Sequence, residues 1–388
     1  MATYVVNSAS GITPGEFFPD AGVTRNARSA TTATYTLPDG RVVVVSGTGF
    51  DPGAASPTTG IIAAVELRQG ATVLVAFSGL TNVSLPTFDS HWLVTGSSFF
   101  PFSDLLTGND TLTGNAGDDS FVGGLGDDAI NGGAGFDEVV YHNDGRSAGV
   151  TVDLNDGDPS DNVGKAWAGN TPVPAPGVEI DALTAIEAAL GTRFDDLLIG
   201  DDHDNTFAPG RGTDSVDGGA GFDELRYDRP GNVTSVGITV VFTADGLGTV
   251  IASSVTGDVN TSFAGIEGVR GTAQADMFTG AAGSQRFRGL GGNDTFDGGA
   301  DDDEVDFLRD TNNPGGLGVT VALGDPALGG SASGPGGNDL LRNIERVRGT
   351  INGDNITCNS QGINGDRRAD FQIELIGLKT LTKIDFIL

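Results

Sequence analysis

The chain has 388 residues, with 52 acidic against 21 basic side chains and a formal charge of −31. That balance argues against nucleic acid and against anionic membranes as partners. A single cysteine excludes an intramolecular disulfide, and 62 glycines raise the entropy cost of ordering the backbone.

Residues 1–104 read as a small β-rich domain, a sandwich-like antiparallel arrangement or barrel. Its strand-like runs are TATYTL from Thr32, RVVVVSG from Arg41 and IIAAVELRQGATVLVAFSGL from Ile61. Arg68-Gln69-Gly70 is the expected hairpin turn in the last of these. The aromatic cluster His91-Trp92, Phe99, Phe100 and Phe102 reads as a hydrophobic cap on whatever follows.

From Gly114 to Val140 one nine-residue phrase recurs without a gap: GNAGDDSFV, GGLGDDAIN, GGAGFDEVV. Glycine stands first and fourth, aspartate sixth and an apolar residue eighth. This is the G-G-x-G-x-D-x-U-x pattern of a calcium-binding parallel β-helix. Six residues make a turn and three a strand, so two units complete one coil and turns eighteen residues apart stack on one edge. Asp110 is then expected beside Asp128, and Asp119 beside Asp137. Leu112, Phe121, Ile130 and Val139 should point inward as a thin apolar core. Calcium takes six to eight oxygens, so a turn offering carbonyls, among them those of Gly117, Gly126 and Gly135, plus one carboxylate is half a site.

The first block spans residues 105–140, and two more follow at 191–226 and 271–306. They place Asp196, Asn205, Asp214 and Asp223, then Asp276, Gln285, Asp294 and Asp303, at the sixth position. Asn205 still offers an oxygen, whereas Gln285 is expected to leave one edge of the third block poor in calcium. Each block ends in an aromatic residue (Tyr141, Tyr227, Phe307), followed soon by a strand-like run: GVTVDL from Gly149, GITVVF from Gly237 and GVTVAL from Gly318. I-E and G-T phrases at Ile186, Ile266 and Ile344 each lead into a nonapeptide block. Segments 141–190, 227–270 and 307–348 read as looped inserts, rich in Pro, Gly and Asp. Residues 349–388 carry a degenerate repeat start at Gly349 and the C-terminus.

With these motifs the chain resembles the RTX, or repeat-in-toxin, family. The resemblance implies an all-β protein built of calcium-binding parallel β-roll blocks, with several Ca²⁺ ions. Asp110, Asp119, Asp128, Asp137, Asp196, Asp214, Asp223, Asp276, Asp294 and Asp303 are its expected carboxylate ligands. The C-terminal run ADFQIELIGLKTLTKIDFIL ends in Asp385-Phe386-Ile387-Leu388 and resembles the uncleaved signal of type I secretion substrates, with a serralysin-like ending. MATYVVNSASG at the start lacks the basic and apolar regions of a signal peptide, and no apolar run is long enough to span a bilayer. Secretion by the type I machinery to the extracellular space or cell surface is therefore expected, without a transmembrane segment.

The resemblance also raises protease or lipase activity, since RTX proteins are often one or the other. There is no H-E-x-x-H; one G-x-S-x-G match, GRSAG from Gly145, stands in the first insert, and His91, His142 and His203 stand apart in sequence. His203 replaces a turn glycine and reads as a solvent-exposed substitution. Cys358 reads as a bystander thiol, and the pair Asp127-Asp128 is accounted for by the repeat. Trp167 is the better candidate for an exposed contact. The expected function is non-catalytic: calcium-driven folding outside the cell, serving surface attachment, matrix or cell–cell adhesion through polysaccharide or other cells. The alternatives are a secreted enzyme or effector with its active site in residues 1–104 or the inserts, and a structural surface-layer subunit.

Overall fold

Three-residue strands between glycine-rich turns are too short to be stable alone, so the repeats build sheets by stacking. The computed structural model describes residues 3–6, 23–26, 28–52, 57–80, 83–85, 106, 108–142, 147–155, 163–229, 236–252, 258–308, 318–323, 329–334, 336–350, 354–358 and 372–374. The described elements are all strands. They fall into two compact units, Met1–His203 and Asp204–Leu388. The aromatic cap at 91–102 and the C-terminal four residues lie outside the described residues.

In the first unit, strands Thr24–Arg25, Thr32–Thr36, Val42–Thr48, Ile61–Gln69, Thr72–Ser78 and Thr3–Val6 pair antiparallel in that order. Alternate residues are buried (Tyr35, Val43, Val45, Val65, Leu67, Val75, Phe77), as period-two patterning requires. The hairpin turn falls at Gly70-Ala71, one step beyond Gln69, because Gly70 takes the left-handed conformation with φ of 62°. The described strands of this region form one antiparallel sheet, with Val83–Ser84 also pairing with Ile61–Gln69. Its last strand, Thr3–Val6, pairs in parallel with Thr111–Thr113 and so continues into the repeats.

The repeats form two parallel sheets. Thr111–Thr113 pairs with Ala129–Asn131 in one, while Ser120–Phe121 pairs with Glu138–Val140 in the other, each in eighteen-residue register. Leu112, Phe121, Ile130 and Val139 are buried between them, as the eighth position demands.

Among the described residues each looped insert carries a meander of three strands, one of them its strand-like run. In the first, Ile180–Thr184 pairs in parallel with Ala129–Asn131, then antiparallel with Val163–Ala168, which pairs antiparallel with Val150–Asp153. Val150–Asp153 then pairs in parallel with Leu197–Ile199. Across from this meander the other sheet adds a single strand, Ala188–Leu190. The second unit repeats the design twice. Val259–Ala264, Leu247–Ala252 and Thr239–Ala244 lie between Gly212–Asp217 and Met277–Thr279. Gly337–Arg342, Gly330–Gly334 and Thr320–Leu323 lie between Thr295–Asp297 and Asn355–Cys358. In the first insert Pro172, Pro174, Pro176 and Gly177 fall in the connection at 169–179, where Val173 is 72% exposed. The alternating runs on either side bury Val150, Val152 and Ala166 and so extend the core. Trp167 is buried with them, at 4% exposure, its Nε1–H donating to the Thr171 carbonyl at 3.0 Å. It is a packing residue and not an exposed contact.

Candidate metal centres

Turns that open on glycine do so where a side chain would strike the next coil or the turn's own aspartate. A Cβ on Gly114 would lie 2.1 Å from the Gly132 carbonyl oxygen, and one on Gly280 would lie 1.9 Å from that of Gly298. The fourth position is equally crowded. Gly126 and Gly135 both have φ of 135°, and added Cβ atoms would approach the carbonyl oxygens of Gly108 and Gly117 to 2.6 and 2.7 Å. The turns thus stack carbonyl against backbone, with Gly117, Gly126 and Gly135 in the stacks.

The sixth-position carboxylates join successive coils. The amide of Asp110 donates to Asp128 Oδ1 at 2.8 Å and that of Asp119 to Asp137 Oδ1 at 2.7 Å, the pairs given by the eighteen-residue spacing. In the second unit the amide of Asn205 donates to Asp223, that of Asp276 to Asp294 and that of Gln285 to Asp303, at 2.7 to 2.8 Å. Asp110, Asp119, Asp128, Asp137, Asp223, Asp294 and Asp303 are all buried. Burial pushes the Asp303 carboxyl up to about 8 and Asp137 up to about 6; the amides bonded to them offset part of this, and Glu345 and Glu187 alongside add to it.

Buried acids without compensating charge are costly. Asp137 Oδ2 and Asp303 Oδ2 are each buried with no hydrogen-bond partner. No group of three or more His, Cys, Asp or Glu side chains is assembled among the described residues. A cation here would be held by one carboxylate per turn together with backbone carbonyls. That all-oxygen set suits calcium, a hard ion indifferent to strict geometry. The sequence comparison agrees: the model for the RTX calcium-binding nonapeptide repeat, four copies long, matches residues 106–139, 190–225 and 270–312. These are RTX calcium-binding repeats. The chain is accordingly a calcium-binding protein whose rolls take several ions. No curated protein matches the chain.

The other predicted RTX positions differ in their surroundings. Asp196 and Asp276 face the inserts instead of a second glycine-rich turn. Thr192 donates its amide to Asp196 Oδ2 and its hydroxyl to Oδ1, at 2.7 and 2.9 Å, and the Val150 amide adds a bond of 2.7 Å. Thr272 and Ile238 do the same for Asp276. Burial still pushes these carboxyls up, to about 7 and about 6. Asp354 likewise accepts from the Thr350 hydroxyl and the Val319 amide, at 2.7 and 2.9 Å, so part of this arrangement recurs after Gly349. Asp214 lies within the longer strand Gly212–Asp217 and not in a turn. Its register partner is Thr261, a residue that continues the pairing where Asp128 and Asp294 meet carboxylates.

Those carboxylates are ones the repeat pattern does not mark. Asp181 Oδ1 accepts from the Asp128 amide and Asp339 Oδ1 from the Asp294 amide, 53 and 45 residues away in sequence. Glu187, Glu267 and Glu345 accept from Asp137, Asp223 and Asp303 in the same way. Their recurrence as I-E was the available signal, but the phrase alone names no partner. Charge is also organised on the second unit's strands Gly268–Arg270, Arg286–Arg288, Glu304–Asp306 and Arg346–Arg348. Arg270 pairs with Glu224 at 2.6 Å, Arg286 and Arg346 with Glu304 at 2.8 and 3.1 Å, and Arg288 with Asp306.

Two departures from the repeat resolve clearly. His203 pairs with Asp201, Nδ1 to Oδ2 at 3.0 Å, a contact that raises the imidazole pKa. Gln285 turns its amide inward: Nε2–H donates to the carbonyls of Ala282 and Gly283 at 3.2 and 2.5 Å. Those carbonyls are the oxygens a cation would draw on, so the amide occupies its electrostatic role. Gln285→Asp is therefore expected to raise the number of calcium ions bound per folded chain by one, measured by equilibrium dialysis with atomic emission. An unchanged count would show that this turn is closed to metal for another reason.

Proposed function

We propose that the chain is a secreted, non-catalytic RTX protein that leaves the cell unfolded through a type I machinery and folds on extracellular calcium. Asp110, Asp119, Asp128, Asp137, Asp223, Asp294 and Asp303 act as its carboxylate ligands, aided by carbonyls of the stacked turns. The observation that carries this reading is the pairing of buried carboxylates between coils, with Asp137 Oδ2 and Asp303 Oδ2 lacking any protein donor. Cytosolic calcium is far below the range of about 10⁻⁴–10⁻³ M at which extracellular modules bind. The same acids therefore hold the chain open inside the cell and close it outside.

The folded rolls serve attachment to cell-surface polysaccharide or neighbouring cells. Exposed apolar side chains support a contact surface on the inserts: Val173 in the first, and Val236, Leu247 and Ile251 in the second. Purified chain is expected to sediment with cells or immobilised polysaccharide in calcium and to be released by chelator. Val173→Asp with Ile251→Asp should weaken sedimentation while leaving the calcium count unchanged. Retention that ignores both calcium and these substitutions removes the adhesion reading.

A further inference from the structure

Each insert returns to the roll through a short turn ending in Ile–Glu, and these turns reproduce part of a glycine-rich turn. Within the first roll, the carbonyl of Gly132 lies where a Cβ on Gly114 would be, at 2.1 Å. One coil further on, the carbonyl of Ala185 stands against Gly132 at the same 2.1 Å. Gly265 and Asn343 present their carbonyls to Gly218 and Gly298 at 1.9 and 2.1 Å. Ala185, Gly265 and Asn343 have φ of 51°, 58° and 48°, the left-handed conformation that aims these carbonyls. The following Ile186, Ile266 and Ile344 are buried and lock the turn onto the core.

Ala185, Gly265 and Asn343 thus stand where the first glycine of a repeat would. A repeat places its aspartate five residues after that glycine, as in Gly132 to Asp137. Here the acid follows after two residues, and it is glutamate, whose extra methylene gives added reach. Glu187 Oε2 accepts from the Asp137 amide at 2.7 Å, the bond that Asp137 Oδ1 accepts from Asp119 one coil earlier. Glu267 and Glu345 accept from Asp223 and Asp303 at 3.0 Å each. At two of these junctions the facing aspartate has a fully buried oxygen with no hydrogen-bond partner, Oδ2 of Asp137 and of Asp303. At the opposite ends of the blocks Thr192 and Thr272 supply donors to Asp196 and Asp276. No threonine follows the same rule at the Ile–Glu ends.

We propose that Glu187, Glu267 and Glu345 are calcium ligands, completing with Asp137, Asp223 and Asp303 three further sites where the inserts rejoin the rolls. The proposal rests on the calcium reading of the repeats, and extends it to a turn that the nonapeptide pattern does not contain. Each site takes one carboxylate from a repeat turn, one from the Ile–Glu turn and carbonyls from both.

The test is a calcium count on purified full-length chain by equilibrium dialysis and atomic emission, with circular dichroism on the same samples. Glu187→Gln, Glu267→Gln and Glu345→Gln keep an acceptor for the aspartate amide but remove the charge. Each is expected to lower the count by one ion per chain, and the triple variant by three, with the β-signal in saturating calcium retained. A folded variant with the native count overturns the proposal and leaves the glutamates as hydrogen-bonding caps. Should the triple variant fail to fold, the single variants give the same reading. A native chain that holds no calcium would overturn the repeat reading itself, an outcome distinct from native binding with unchanged variants.

Discussion

In chelator at pH 7.5 the purified chain is expected to lose most of its far-UV β-signal and to regain it cooperatively between about 0.1 and a few mM calcium, with magnesium ineffective. Without the ion, burial holds the carboxyls of Asp137, Asp196, Asp276 and Asp303 at about 6, 7, 6 and 8, well above their ordinary 3.8. Between about pH 4 and 8 the calcium-free fold therefore binds more protons than the unfolded chain. Its stability is fully present at the acid end of that window and is lost as pH rises through these values. Each unit of upward shift costs about 1.4 kcal/mol once the group must ionise. Calcium reverses the dependence, because only the ionised carboxylate ligates. A site held at ten times its Kd contributes about 1.4 kcal/mol. About six such sites add roughly 8 kcal/mol, comparable to the whole stability of an ordinary domain. In chelator, the β-signal at pH 4.5 should therefore exceed that at pH 7.5. In 5 mM calcium the order should be inverted or absent. A chain equally folded in chelator at both pH values would show that the buried acids are not what calcium relieves.

Phe287→Ala is expected to destabilise the calcium-loaded second unit by about 3–5 kcal/mol. Phe287 is fully buried on the strand Arg286–Arg288, with ring centroids of Phe278, Phe242 and Phe296 at 5.4, 6.0 and 6.3 Å. Phe278 and Phe296 stack at 4.9 Å on adjacent strands of the opposite sheet. A roll core is one side chain thick per coil, so a hole there has few neighbours able to close over it. Loss of one rung also removes the template for the next, since each coil contacts only its neighbours. Met277, exposed beside Phe278, is the internal control, and Met277→Ala should stay within about 0.5 kcal/mol. Denaturant unfolding in saturating calcium measures both. Equal midpoints for the two variants would contradict a core centred on these phenylalanines.

Short-range chemistry was legible in the sequence. The sixth-position spacing gave the Asp110–Asp128 and Asp119–Asp137 pairs, and the eighth position gave the core, because both follow from two turns per coil. Gln285 was legible as a defect, but its inward amide bonds were not, since the pattern says nothing about rotamers. One strand of each insert is legible as a strand-like run, whereas the strands that pair with it are not, because Pro, Gly and Asp cluster at their turns. GVTVDL from Gly149 and its counterparts are strands whose partners lie in the roll. Trp167 reads as exposed for the same reason, because a side chain in a loop-like segment is buried only once its strand is paired.

What the sequence by itself determined is the local rule: which residues turn, which point inward, and that oxygen ligands for calcium line the edges every nine residues. These follow from spacing, and spacing survives without knowledge of the rest of the chain. The tertiary structure alone decided which acids meet across the inserts. Asp137 and Glu187 are 50 residues apart, Asp223 and Glu267 are 44, and Asp303 and Glu345 are 42. Those separations share no period, because each is set by the length of a hairpin whose own strands must pair before the chain can return to the roll.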